Sequence, residues 1–170
     1  DAEYSLAVQL ADEGRDSEAD SLYRSALRQR PDYEEAWLKL GDLDRRAGRL
    51  EEAEREFARA AALDPDDERA VVDLAVARAQ RGDIAGALPL FRRALEMRPG
   101  DPLALGNLRS VVAVKEAERA RAAGSLGRLP PPDDALIEAW QLLYDHTREP
   151  RWLEEIERGR AQRAAGHRGR

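Results

Sequence analysis

The sequence predicts an all-α fold, an α-solenoid of helix-turn-helix repeats followed by a C-terminal helical hairpin. The main observation is a fixed period: Pro31, Pro65 and Pro99 are 34 residues apart, and the segments before them realign residue by residue. A period of this length is typical of solenoids built from paired helices. Composition agrees, because 36% of the residues are charged and only 5% are aromatic, which suits close-packed helices rather than a β-rich fold.

Each repeat is predicted to contain two helices joined by a glycine turn. The helix pairs are expected near residues 2–13 and 17–29, 34–46 and 51–63, and 67–80 and 85–97. A glycine follows the last apolar residue of each first helix, where left-handed backbone is favoured: Gly14, Gly48 and Gly82. An acid beyond each proline is expected to cap the next helix: Asp32, Asp66 and Asp101.

After Pro99 the pattern changes. A helix over 102–123 begins in register with the repeats but lacks the turn glycine, and three consecutive prolines then predict a loop. Helices over 134–147 and 150–165 form a hairpin whose apolar faces contain Trp140 and Trp152. The predicted divisions are a repeat region with a long capping helix, a Pro-rich linker, the hairpin and a basic tail: 1–124, 125–133, 134–165 and 166–170.

Small residues and one aromatic residue recur at the same places in each copy. The small positions include Ala19, Ala53 and Ala87, and the aromatic positions are Tyr23, Phe57 and Phe91. Trp37, Leu40 and Gly41 also form a W-x-x-L-G signature. This pattern resembles the tetratricopeptide repeat family over roughly residues 1–115. The resemblance implies a right-handed solenoid and a non-enzymatic scaffold that binds a peptide or protein partner in its concave groove.

The resemblance also implies which residues line that groove. They are the first-helix residues that do not face the paired helix: Tyr4, Val8, Leu38, Asp42, Arg45, Arg69, Val72 and Val76. The lining is largely apolar with a few charges, which suits an amphipathic helix or an extended apolar peptide. We expect Leu38 and Val72 to face this cleft and to be partly accessible.

One known ligand of the family can be tested against these positions. Members that hold the acidic C-terminal tails of heat-shock chaperones use a clamp of Lys, Asn and Arg, and the equivalent residues here are Tyr4, Val8, Lys39, Arg69 and Asp73. Lys39 and Arg69 keep a positive charge. Tyr4 and Val8, however, replace two polar partners, and Asp73 would repel a carboxylate. The sequence therefore argues against this ligand.

Composition argues against several other functions. The sequence has no cysteine and only two histidines, His146 and His167, so we expect no metal site and no disulfide. No catalytic constellation and no phosphate-binding loop is present, and we expect no cofactor and no enzymatic activity. The net charge of −6 disfavours nucleic acid as a partner, and the Arg-rich tail over 158–170 is the only candidate for such contact. A solubilising tail is the favoured interpretation of that segment.

Two alternatives to the binding scaffold stay open. The chain could be a structural subunit of a multiprotein assembly whose groove is filled from within, or the regulatory domain of a larger enzyme. No apolar run is long enough for a membrane span, and no signal peptide begins the chain. A cytoplasmic location is slightly favoured, while the first residue, Asp1, leaves an exported form open. The preference for Arg over Lys suggests genomic bias, and a bacterial origin is expected; the sequence does not define the oligomeric state.

Overall fold

The structure is a computed structural model that describes residues 2–168, except for the side chains of residues 126 and 166–168. Within these residues the chain forms nine helices and no strand. They are α1 (Ala2–Asp12), α2 (Asp16–Gln29), α3 (Glu34–Arg46), α4 (Leu50–Leu63), α5 (Glu68–Gln80), α6 (Ile84–Met97), α7 (Pro102–Leu126), α8 (Asp134–Thr147) and α9 (Pro150–Arg168). The predicted all-α fold is confirmed. The predicted basic tail continues into residues 169–170, which lie outside the described residues.

The glycine turns close the first helices as the sequence predicts. Gly14, Gly48 and Gly82 have φ angles of 76°, 76° and 88°, in the left-handed region that favours glycine. The residue after each glycine donates its N–H back to the carbonyl five positions earlier; for example, Arg15 N lies 2.8 Å from Leu10 O. This bond satisfies a carbonyl that the end of the helix would otherwise leave unpaired.

The predicted helix caps are correct for only one of three acids. Asp101 caps α7, because its side chain accepts a hydrogen bond of 2.8 Å from Ala104 N. Asp32 and Asp66 do not cap α3 and α5. The residue before α3 is Tyr33, which makes no side-chain cap, and α5 is capped by Asp67. The reason is that each of the first two prolines opens a turn that delays the next helix, whereas Pro102 starts α7 directly after its acid.

Residues up to Asp83 form the first of two compact units. In this unit α1 packs against α2, α3 packs against α4, and the neighbouring pairs meet where α2 contacts α3 and α4 contacts α5. Small residues allow these close approaches: a Cβ atom added to Gly41 of α3 would lie 2.7 Å from Cε1 of Phe57 in α4. A small position and an aromatic position of the repeat pattern therefore pack directly against each other at this crossing.

The second compact unit begins at Ile84 and contains α6 to α9. Within it α8 packs against α6 and α7, and α9 packs against α8. Trp140 of α8 is buried, and its Nε1 donates to Oε1 of Glu116 at 3.0 Å. Glu116 stands where the sequence lacks the expected turn glycine, so the continued helix α7 supplies a hydrogen-bond partner for the hairpin. The domain division at residue 124 remains a prediction.

Gly159 of α9 is expected to tolerate no larger residue. A Cβ atom there would lie 2.7 Å from Cγ of Pro132 and 3.1 Å from Cζ3 of Trp140. Gly159→Ala should therefore lower the free energy of unfolding by about 1–3 kcal/mol. The matched control is Gly124→Ala, because nothing lies within 4 Å of a Cβ atom at that helical position. The control should be neutral or stabilising. Urea denaturation monitored by circular dichroism measures both, and equal behaviour of the two variants would contradict the prediction.

Candidate binding groove

A cleft of about 260 Å³ opens between α1 and α3 in the first unit. Both helices are first helices of their repeats, which is where the predicted groove lies. The cleft is lined by Val8, Ala11, Asp12, Tyr23, Lys39, Asp42, Arg45 and Arg46. Residues of each helix recur at intervals of three or four, so one side of each helix faces the opening.

The floor of the cleft is apolar, with one hydroxyl group. Val8 and Ala11 are half-buried and lie one turn apart on α1, and Tyr23 reaches the cleft from α2. Burial raises the pKa of Tyr23 to about 12, because desolvation disfavours the phenolate. The hydroxyl therefore stays protonated and is available as a hydrogen-bond donor or acceptor.

Asp42, one of the two acids that line the cleft, is neutralised within the chain. Asp42 accepts a hydrogen bond of 3.0 Å from Arg45 Nη2, and its second oxygen lies 3.5 Å from Arg69 Nη2. Arg69 also places its Nε 3.6 Å from an oxygen of Asp73. Burial, with Asp42 nearby, raises the pKa of Asp73 to about 6. Arg69 is thus shared between two acids on two helices.

Two cationic side chains at the cleft have donor groups without a partner. In the part of the chain that the structure describes, the ammonium of Lys39 makes no ion pair. Arg45 uses Nη2 for Asp42, but its Nε is buried and has no hydrogen-bond partner. Arg46, in contrast, lies 3.5 Å from Asp16. A buried donor without a partner destabilises the folded chain. A ligand that accepts a hydrogen bond from it removes this penalty and therefore binds more tightly.

The structure brings together part of the predicted set. Val8, Asp42 and Arg45 line the cleft. Tyr4 is half-buried instead, with its ring 5.9 Å from that of Tyr23 and 4.7 Å from that of Tyr33. Two further predicted residues lie on α5 outside the cleft lining: Arg69, which is exposed, and Val76, which is half-buried.

The expectation that Leu38 and Val72 are partly accessible is wrong. Leu38 is 5% exposed and Val72 is fully buried. The physical reason is that burying an aliphatic side chain away from water lowers the free energy of the folded state, so these two side chains pack into the unit. Asp42 and Arg45 lie one and two turns further along α3, at positions that are partly accessible.

Besides Ala11 and the clamp-equivalent Lys39, three residues of the cleft are absent from the predicted groove set: Asp12, Tyr23 and Arg46. A signal existed for two of them, because Asp12 follows Val8 by four residues and Arg46 follows Asp42 by four, which continues each lining stripe by one turn. The repeat pattern identifies Tyr23 only as one of three recurring aromatic positions. It is buried there and also reaches the cleft, a double role that the repeat pattern does not reveal.

Comparison with known families identifies the class of protein. A family model described as tetratricopeptide repeat matches residues 4–68 and 38–102, which together cover more than half of the chain. The chain therefore belongs to the tetratricopeptide repeat family. A search of curated proteins found no match. Among the described residues, no helix is long and apolar enough to cross a membrane, and no group of histidine, cysteine and acidic residues could hold a metal ion.

Solved structures show the same fold at low sequence identity. The first tetratricopeptide domain of Spaghetti (RPAP3), bound to the HSP90 peptide SRMEEVD, is 19% identical with a TM-score of 0.62 and covers 66% of this chain and 90% of its own. A crystal structure of MamA is 17% identical with a TM-score of 0.67 and covers 98% of this chain and 85% of its own. The predicted α-solenoid fold is confirmed by these similarities.

Proposed function

We propose that this chain is a non-enzymatic interaction module that binds a peptide or protein segment in the cleft between α1 and α3. The observation that carries the proposal is the combination of an apolar floor with unpaired donors at its edge. Val8 and Ala11 offer a surface for an apolar side chain, while Lys39 and the Nε of Arg45 offer positive hydrogen-bond donors. Concave sites of this composition suit a ligand that is apolar along one side and accepts hydrogen bonds along the other.

The ligand proposed here differs from the HSP90 peptide held by the similar structure. That protein binds the peptide SRMEEVD. In this chain the tyrosine ring of Tyr4 packs against Tyr23 and Tyr33, and Arg69 is shared between Asp42 and Asp73. Of the five clamp-equivalent positions, only Lys39 offers an unpaired cation, so a ligand with several carboxylates lacks matching partners.

Selection from a displayed library of random peptides tests this function. The wild-type chain should enrich a family of related sequences, and Val8→Glu and Lys39→Glu should each weaken binding of the selected peptide about tenfold or more, because each places a carboxylate in the cleft. Arg59→Glu is the matched control, because it reverses a charge at an exposed position of α4 outside the cleft. If both cleft variants still bind the selected peptide as well as the wild type does, the binding site lies outside the cleft.

The structural-subunit alternative is favoured by one observation, the burial of Leu38 and Val72 at positions expected to face the groove. In that case the groove is filled by side chains of the chain itself, and the selection should enrich no peptide family. Val8→Glu should then lower the free energy of unfolding instead of changing any affinity, because it places a charge in a packed surface. Urea denaturation of this variant separates the two functions. The regulatory domain of a larger enzyme would use the same cleft as the binding module.

A further inference from the structure

A second group of unpaired hydrogen-bond donors lies in the second unit, where the turn between α8 and α9 contacts α7. Arg109 of α7 donates through Nη2 to Oε1 of Glu149 in that turn. The Nε of Arg109 is buried and has no hydrogen-bond partner among the described residues. The indole Nε1 of Trp152, near the start of α9, also lacks a partner in that part of the chain, and Trp152 is only 6% exposed.

Glu149 and Arg151 connect the two side chains that carry these donors. The second carboxylate oxygen of Glu149 lies 2.9 Å from Nε of Arg151. The guanidinium carbon of Arg151 lies in turn 3.9 Å from the centre of the Trp152 ring. Arg109, Glu149, Arg151 and Trp152 therefore form one continuous group of contacts, which we call the Arg109 cluster. It holds one carboxylate between two guanidinium groups.

Arg109 stands at a position where the other first helices have a small residue. Counting back by the 34-residue period gives Ala75, Gly41 and Ala7, which are all buried. At Gly41 an added Cβ atom would lie 2.7 Å from the ring of Phe57, so the small residue there permits close packing. Packing of the repeats therefore does not explain a charged side chain at Arg109.

The residue before Glu149 adds a third cation in a strained backbone conformation. Arg148 has a φ angle of 55°, and no other non-glycine residue in the described part of the chain has a positive φ. Glycine adopts this left-handed conformation without strain, whereas a residue with a side chain does not. Arg148 is exposed, and its guanidinium carbon lies 5.4 Å from the centre of the Tyr144 ring. The turn therefore keeps a positive charge at a position that glycine would suit better.

We propose that the Arg109 cluster is a second binding site, which takes a carboxylate side chain of an acidic peptide segment in a partner protein. The donors suit this group, because guanidinium and indole N–H groups only donate hydrogen bonds and a carboxylate only accepts them. Glu149 is an example within the chain, since its carboxylate lies between Arg109 and Arg151. Together with Arg148 these arginines outnumber the single glutamate, which favours a further negative charge. The site lies in the second unit, and the proposal is independent of the cleft between α1 and α3.

The indole N–H resonances of the three tryptophans test the proposal. The full chain, labelled with ¹⁵N, is titrated at low ionic strength with an acetylated and amidated tetraglutamate peptide, and the N–H resonance of Trp152 should shift with a saturable dependence on peptide concentration. Trp37 and Trp140 are internal controls, because their indole N–H groups already donate to Pro31 O and Glu116 Oε1 at 3.0 Å. The matched tetraglutamine peptide should shift none of the three. A Trp152 resonance that does not move, or that moves equally with both peptides, overturns the proposal.

Two variants separate binding of the peptide from folding of the unit. Arg109→Gln should weaken the affinity for tetraglutamate about fivefold or more, because it removes a cation and the unpaired Nε. Arg148→Gly should weaken it about twofold or more, yet the urea midpoint should stay unchanged or rise, because glycine relieves the strained turn. Arg121→Gln is the matched control, since Arg121 is an exposed arginine about 18 Å further along α7. Circular dichroism checks the folding of each variant, and Arg148→Gly alone decides if Arg109→Gln does not fold. A folded variant of either kind that binds as tightly as the control overturns the proposal.

Discussion

The first unit should become less stable as the pH rises from about 4.5 to about 8, and Glu56→Gln should remove much of this dependence. Glu56 of α4 is buried, and one of its carboxylate oxygens has no hydrogen-bond partner among the described residues. Burial, and then the neighbouring Asp44, raise the pKa of Glu56 from 4.5 to about 8. The folded chain therefore holds a proton that the unfolded chain releases over this range.

The surroundings of Glu56 explain why its charge is costly. Asp44 of α3 faces it and is fully buried, and Asp20 of α2 is also near. Arg24 lies 3.4 Å from Glu56 but also contacts both of these acids, so one cation serves three carboxyl groups. Arg49 is a second cation for Asp44 and Asp20, at 2.6 Å and 3.4 Å, but it does not reach Glu56. A protonated Glu56 relieves this excess of negative charge.

The direction of the effect follows from proton linkage. Between the unfolded pKa and the folded pKa the native state binds more protons, so stability falls as the pH rises through this range. Each unit of pKa corresponds to about 1.4 kcal/mol, and we expect the wild-type chain to lose on the order of 2–4 kcal/mol. Glu34 and Asp73 add to the decrease of the free energy of unfolding with pH, because burial raises their pKa values to about 7 and about 6.

Urea denaturation at several pH values measures this prediction. Glu56→Gln keeps the shape of the side chain and cannot ionise, so its free energy of unfolding should vary less with pH and should exceed that of the wild type at pH 8. Glu35→Gln serves as the control, because it removes an exposed acid of α3. If the wild type and Glu56→Gln give parallel curves, Glu56 is ionised in the folded chain.

Phe57→Ala should cost about 3–5 kcal/mol of unfolding free energy, since it removes a fully buried ring from the crossing of α3 and α4. The same ring decides the effect of Gly41→Ala. In the wild-type background the added methyl group meets Cε1 of Phe57 at 2.7 Å, and the variant should lose about 1–3 kcal/mol. In the Phe57→Ala background the methyl group enters the space left by the ring and should be stabilising, because alanine also favours the helix.

A double-mutant cycle over these two residues gives the test. The free energies of unfolding of the wild type, both single variants and the double variant are measured in urea, and the effects of the two substitutions should be strongly non-additive. Gly106→Ala is the control for helix propensity, because nothing lies within 4 Å of a Cβ atom at that position of α7. Additive effects would mean that Gly41 and Phe57 do not meet in solution.

The sequence predicts the helices and the glycine turns because these depend on local residue preferences that recur in each repeat. Gly14, Gly48 and Gly82 show this clearly, since the same backbone conformation recurs at each. The caps at Asp32 and Asp66 fail because the exact start of a helix depends on how the preceding turn is closed, one residue later than the pattern suggests.

The cleft was only partly predictable, for a different reason. The family resemblance predicts Val8, Asp42 and Arg45 at the groove, but it does not show how deeply Leu38 and Val72 are buried in the unit. The buried charges between helices could not be predicted either, because acidic residues in charge-rich helices usually lie on solvated faces. Asp44 becomes a buried acid only when side chains from α2 and from the turn before α4 converge on it.

The contacts of Arg24 make the order of the hairpins matter. Repeat arrays are often treated as interchangeable modules that duplication can lengthen or shuffle. Here Arg24 of the first hairpin reaches Asp44 and Glu56 of the second, whereas the first hairpin has leucines, Leu10 and Leu22, at the equivalent positions. Exchanging the two hairpins would separate Glu56 from its only cation among the described residues and leave Asp44 with Arg49 alone, so the charges between the hairpins fix which hairpin follows which.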